Sequence, residues 1–129
     1  MPHKVIQSDS APAAIGPYAQ AVTVGPLTFL SGQIPLDPIT GVVVGEGDPN
    51  AQTGQVMSNL CGVLEAAGHP ITDLVKTTIY LADMDHFEVV NKAYEAALAG
   101  HRPARATIEV ARLPRDVLVE IDGIAARPG

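Results

Sequence analysis

Cysteine is almost missing from this chain of 129 residues: Cys61 stands alone, so no intrachain disulfide can form and a reducing compartment is expected. Tryptophan is absent, and Phe and Tyr together make up only 4% of the residues, so the core must be largely aliphatic. No apolar run approaches the roughly 20 residues of a membrane-spanning helix. The opening MPHKVIQSDS lacks the apolar stretch of a signal peptide. Both absences point to a soluble cytoplasmic protein with no membrane partner. Basic residues are scarce as well. With 8 Lys and Arg against 14 Asp and Glu, the formal net charge is −6. A general nucleic-acid binder shows the opposite balance, although a local basic pocket for a small anion stays compatible with it. His3, His69, His86 and His101 are scattered, with no pair at i, i+4, and Cys61 has no partner at zinc-ligand spacing. No metal site is expected.

Hydrophobic residues make up 47% and charged ones 17% of the chain, an ordinary globular balance for one domain over residues 1–129. A short strand is predicted over His3–Gln7, then a loop over Ser8–Pro17. QAVTV and LTFLSGQ flank Gly25-Pro26 and read as a hairpin. Val42–Val44 offers a further strand. Asp48 as N-cap and Pro49 at the first helical position open a helix whose Val56, Leu60, Val63, Leu64 and Ala67 recur at helical spacing, with Gly68 as its stop. The run Leu74–Leu81 is β-branched and strand-like. A second helix begins at Asp83 or Asp85, with Asp85 and Glu88 at capping-box spacing. Its apolar stripe is Phe87, Val90, Tyr94 and Leu98. Two strands, about 104–111 and 117–125, close the chain around a turn at Arg112–Asp116. This order gives an α+β plan with both helices on one face of a single sheet. In the last strand Val117, Val119 and Ile121 alternate with Leu118 and Ile124, so the other face is not cleanly polar and an oligomer is expected.

Several polar residues stand in apolar surroundings. Asn91 shares the inner stripe of the second helix, and a buried amide needs partners there, structural or ligand. Ser31-Gly32-Gln33 ends the apolar strand LTFLSGQ, and Gly there marks a β-bulge or a close approach by a ligand or another backbone. Tyr18, at a loop-to-strand junction, can serve an interface or offer its hydroxyl to a ligand. Arg105 and Glu120 each lie inside a predicted final strand. Arg presents a fork that grips a carboxylate bidentately, and a carboxylate such as Glu120 can orient and deprotonate water. A mutual ion pair is the alternative. If the two strands form a hairpin with Ala111 opposite Val117, Arg105 and Glu120 project from opposite faces. A register shifted by one residue brings them to the same face.

Six segments taken in order resemble the reactive intermediate deaminase A family (RidA, also called YjgF). They are APAAIGPYAQAV, FLSGQIPLDPITG, AQTGQVMSNLCGVLEAAG, LVKTTIYLADM, VNKAYEAAL and RPARATIEVARLPRDVLVEIDGIA, which together span nearly the whole chain. The resemblance implies a chorismate-mutase-like α+β fold and a homotrimer with sheets forming an inner barrel and helices outside. It implies three sites in clefts between subunits and a damage-limiting activity: hydrolysis of 2-imino acids such as 2-iminobutanoate and 2-iminopropanoate to 2-keto acids and ammonia, without a cofactor. Such imines are released by pyridoxal-phosphate-dependent dehydratases.

By the same resemblance, Arg105 binds the substrate carboxylate and Glu120 holds the water. Tyr18, Ser31, Gly32 and Asn91 line or support the pocket. Thr107 stands where several relatives have Cys, at a position whose main chain meets the ligand. Two departures concern the pocket wall. Ala97-Leu98 replaces a Phe pair common after Tyr94, and the segment before Pro103 is shorter than in some relatives. Rival readings are a non-catalytic binder of small carboxylates, a chaperone-like protein, and a ribonuclease, the last disfavoured by the acidic charge.

Overall fold

A computed structural model describes residues 2–129. Its strands are β1 (Lys4–Ile6), β2 (Ala21–Val24), β3 (Leu27–Gln33), β4 (Leu74–Leu81), β5 (Ala104–Glu109) and β6 (Val119–Ala126), and its helices are α1 (Pro49–Ala66) and α2 (Phe87–Leu98). All six strands join one mixed sheet in the order β1-β2-β3-β6-β4-β5. The first three make an antiparallel meander. Gly25, at φ 58°, supplies the left-handed residue of the β2–β3 turn.

Local chemistry explains α1. The Asp48 carboxylate accepts from the amides of Asn50 and Ala51, Pro49 takes the first turn, and Gly68 follows the end at φ 80°. Val56, Met57, Leu60, Val63 and Leu64 are buried along one side. They pack on the alternate residues of β6 that point the same way, Val119, Ile121 and Ala125, and on Leu74, Ile79 and Leu81 of β4. Fully burying an aliphatic side chain such as Leu60 is worth about 1.5–3 kcal/mol. Helix α2 adds Val90, Tyr94 and Leu98 to the same core. Both helices therefore cover one face, as the hydrophobic pattern predicts.

The other face is open and mixed. Phe29 and Ile108 stay 45% and 44% exposed, and Val5 and Val24 are also exposed. Lys76, Tyr80, Glu120 and Asp122 share this face by register, beside the half-buried Ile124.

Three local expectations need correction. Val42–Val44 is not a strand of the sheet. It folds back on residues 35–37, with one isolated bridge between Leu36 and Val43, because Val44 donates to the Pro35 carbonyl and the Val42 carbonyl accepts from Asp37. The second helix lacks the Asp85–Glu88 box. Asp83 instead caps a 3-10 turn, Met84–His86, that runs directly into α2. Most consequential, β5 and β6 do not form a hairpin. Strand β4 lies between them, antiparallel to β6 and parallel to β5. The crossover through α2 makes β4-α2-β5 a βαβ unit, and the connection after Glu109 steps across β4 through a 3-10 turn at Pro114–Asp116.

Candidate active site

Two groups of residues carry chemistry, and the sheet separates them. The first surrounds Arg105. In β5, Arg105 lies opposite Thr77 of β4, and Thr77 is fully buried under α2. Arg105 thus leaves the sheet on the helix side, toward the face of α2 formed by Phe87, Asn91 and Tyr94. Those residues fall at i, i+4 and i+7 and line up along the helix. The guanidinium carbon lies 5.6 Å from the ring centres of both Phe87 and Tyr94, and one nitrogen donates to Asn91 Oδ1. Each cation–π contact contributes about 0.5–1 kcal/mol at such an exposed position. Tyr94 is itself fixed, its hydroxyl 2.6 Å from Thr77 Oγ1. Burial pushes the Tyr94 phenol above its usual range, against opposing effects of Thr77 and Arg105. The platform orients the arginine. Beside Arg105 a cleft of about 470 Å³ opens between the end of α2 and the start of β5. Thr107 follows two residues along β5 on the same side, with its hydroxyl buried and unpartnered among the described residues.

The second group surrounds Glu120. In β6, Glu120 lies opposite Tyr80 on the open face. The ladder between β3 and β6 slips between Leu30 and Gln33, so Ser31-Gly32 forms a bulge. Both readings of Gly32 hold at once, because the Glu120 carboxylate occupies the space a side chain would need there. A Cβ on Gly32 would sit 2.1 Å from Glu120 Oε2. Ser31 Oγ donates to the Ala19 carbonyl at 2.6 Å, and Ser31 N to the Gln20 carbonyl at 3.0 Å, which ties the bulge to the loop that carries Tyr18. Gln20 braces that loop through the Ser8 amide and the Pro12 carbonyl. Tyr18 is 48% exposed and shares a small cleft with Gly32, and its hydroxyl accepts from the Ile15 amide at 3.4 Å. Glu120 makes no hydrogen bond or ion pair among the described residues. Burial first, and the adjacent Asp122 second, push its carboxyl above the usual glutamate range. Asp122 is otherwise engaged, accepting from the Tyr80 hydroxyl at 2.9 Å.

Tyr18, Ser31, Gly32 and Glu120 therefore come together at one end of the open face. Asn91 and Arg105 come together on the helix side, with Thr107 beside them. The two groups do not meet within one chain. Arg105 and Glu120 flank β4 on opposite sides, at levels three residues apart, so their Cα atoms lie roughly 14 Å apart with side chains diverging. A mutual ion pair within one chain is excluded. The opposite-face outcome matches one of the two sequence registers, but its cause is the inserted strand rather than hairpin pairing.

The sequence reading missed the arginine platform and the role of Asp122. Phe87 and Tyr94 were recognised only as core stripe residues, although both flank Asn91 on the same helical face. Asp122 follows Glu120 at the period-two spacing that places both on one sheet face.

One mixed sheet backed by two helices, with a clamped arginine on one side and, among the described residues, an unpaired carboxylate on the other, defines a small α+β domain. Residues 8–127 match the family model described as Endoribonuclease L-PSP. The 2-iminobutanoate/2-iminopropanoate deaminase of Salmonella typhimurium is 48% identical over 127 residues, covering 96% of this chain and 98% of its own. The crystal structure of the YjgF gene product from E. coli has a TM-score of 0.92 at 47% identity, covering 97% and 99% of the two chains. That of E. coli TdcF with bound serine has a TM-score of 0.92 at 38% identity, covering 97% and 99%. Other relatives are named RutC family proteins. The chain belongs to the RidA/YjgF family. Among the described residues, no helix is long and apolar enough to cross a membrane.

Proposed function

We propose that this chain hydrolyses small 2-imino acids to 2-keto acids and ammonia. The observation that carries this reading is Arg105, an exposed guanidinium held by Phe87, Asn91 and Tyr94 with donors left for a substrate carboxylate. The name of the Salmonella relative supplies the reaction class. Because Arg105 and Glu120 diverge within one chain, a shared site requires Arg105 from one copy and Glu120 from a neighbour, as in a homotrimer with sites between subunits.

Arg105 then holds the substrate carboxylate, and Asn91 keeps the fork aligned. The imine enters protonated on nitrogen. Glu120 takes a proton from a water as its oxygen bonds to the imine carbon, and the carbinolamine forms. That proton passes to the nitrogen. The carbon–nitrogen bond breaks, the hydroxyl oxygen forms the carbonyl as its proton leaves to Glu120 or solvent, and ammonia departs. A carboxyl with a raised pKa suits this two-way transfer. The Gly32 bulge gives the carboxylate room, and Tyr18 and Ser31 shape the adjoining wall.

The test is to generate 2-iminopropanoate and 2-iminobutanoate with an amino-acid oxidase or dehydratase and follow imine loss. Arg105→Ala should reduce catalysed loss to background while the assembly stays intact. Normal turnover by that variant would overturn the reading. A second reading, binding of small carboxylates without turnover, draws on TdcF, whose crystal structure has bound serine. It is separated by Glu120→Gln, which would then leave ligand binding and function unchanged.

A further inference from the structure

A second arginine, Arg102, lines the cleft beside Arg105. The geometry points to Arg102 as a specificity residue that recognises a second carboxylate, on the side chain of a 2-imino dicarboxylic acid. This rests on the reading of Arg105 as the carboxylate clamp.

Four observations support it. Arg102 lies on a short, anchored connection. Helix α2 ends at Leu98, Ala99 turns left-handed at φ 50°, and His101 N donates to the Leu98 carbonyl. His101 Nε2 lies 2.6 Å from the Leu74 carbonyl. A carbonyl only accepts, so Nε2 carries the hydrogen, and the ring pins the connection to β4. Pro103 then restricts the backbone before β5 begins at Ala104. Arg102 is thus held between two fixed points, three residues from Arg105.

Arg102 is also free. It makes no side-chain hydrogen bond or ion pair among the described residues, whereas Arg105 is committed to Asn91 and two rings.

The cleft reverses the sign of the whole molecule. Arg102 and Arg105 line it against one carboxylate, Glu95, in a chain of net charge −6. Among the described residues Glu95 forms no ion pair with either arginine, and two arginines against one glutamate leave the cleft net positive.

The space is adequate. On the single chain the cleft is open, about 470 Å³, and walled by Leu98, Gly100 and Pro103, with Arg102 along it beyond Arg105. A monocarboxylate on Arg105 would leave Arg102 facing solvent, and a second carboxylate would engage it.

The experiment compares kcat/KM for imines made in situ by amino-acid oxidases from glutamate and from 2-aminobutanoate. Wild type should hydrolyse both. Arg102→Gln should lower the glutamate-to-aminobutanoate ratio by about tenfold or more, as expected for loss of a charge-assisted contact. Arg102→Lys should restore part of it, and Glu95→Gln should raise it. The inference is overturned if the ratio is unchanged in Arg102→Gln, or if wild type turns over only the aminobutanoate-derived imine. If wild type hydrolyses neither imine, the deaminase reading itself fails. Normal turnover of both by Arg105→Ala would likewise sink that reading and not the role of Arg102 alone.

Discussion

Arg105 and Glu120 leave the same sheet on opposite faces, with β4 between the strands that carry them. Each is prepared by its own surroundings. A helix face clamps the arginine, and a glycine bulge makes room for the carboxylate. Neither preparation serves the other residue within one chain. The guanidinium is exposed with donors to spare, and the half-buried carboxylate makes no hydrogen bond among the described residues, so each is available to a ligand or a second chain.

Gly32→Ala separates function from stability. The added Cβ collides with Glu120 Oε2, the far end of a flexible side chain that can swing away. Folding stability should change by less than about 1 kcal/mol, because no backbone or packed core atom blocks the methyl group. Imine hydrolysis should fall about 100-fold or more, because the displaced carboxylate no longer aims at the substrate. Thermal melts and steady-state kinetics on the same preparation check both halves.

Glu120 sets the expected pH dependence. Its pKa is raised in the folded chain, by burial and then by Asp122. Activity should decline on the acid side as Glu120 protonates, beginning above the usual glutamate range. Asp122→Asn should move that limb to lower pH. For stability, a raised pKa means that the folded state binds the proton more tightly than the unfolded state. The favourable contribution is present in full below the unfolded glutamate value and is lost as pH rises through the folded value. Glu120→Gln should therefore melt higher than wild type at neutral pH, with the gain vanishing under acid. Melting curves across pH give the answer, and equal melting of the two proteins at neutral pH would contradict the burial assignment.

Asn59 links the core to the wall of the cleft shared by Tyr18 and Gly32. It is fully buried on α1, accepts from Gln55 Nε2, and donates to the carbonyls of Ile34 and Leu36 just beyond the bulge. Asn59→Ala strands the buried Leu36 carbonyl, while the Ile34 carbonyl keeps the Leu36 amide, and should cost about 1–3 kcal/mol. Chemical denaturation measures this directly, and a cost below about 1 kcal/mol would show that the loop repacks.

Much of this architecture was legible in the residues. Asp48-Pro49 and Gly68 bracket α1, Gly25-Pro26 marks the β2–β3 turn, and the Phe87–Leu98 stripe identifies the buried side of α2. These signals are local, so each is written where it acts. The pairing of β5 was not legible. Adjacent strands joined by a short segment ordinarily form a hairpin. Only the three-dimensional competition for β4 shows that β5 joins it in parallel while β6 takes its other side. The segment between them also hides its shape, because Arg115 and Asp116 both adopt positive φ, at 59° and 56°, without a glycine to announce it. The Gly32 bulge was anticipated as either a bulge or a close approach, and it is both. Arg105 and Glu120 were visible as anomalies inside strands. Their surroundings were not, since Phe87, Tyr94 and Asp122 each have ordinary structural explanations.

The division of one site between two copies is tested most directly by mixing two inactive variants. Arg105→Ala and Glu120→Ala proteins would be denatured together in equal amounts and refolded, with each refolded alone as a control, and imine hydrolysis measured on all three. If each site takes Arg105 from one copy and Glu120 from another, random assembly should restore about a quarter of wild-type activity in the mixture, with none in either control. A mixture as inactive as the separate variants, despite confirmed subunit exchange, would contradict the shared site.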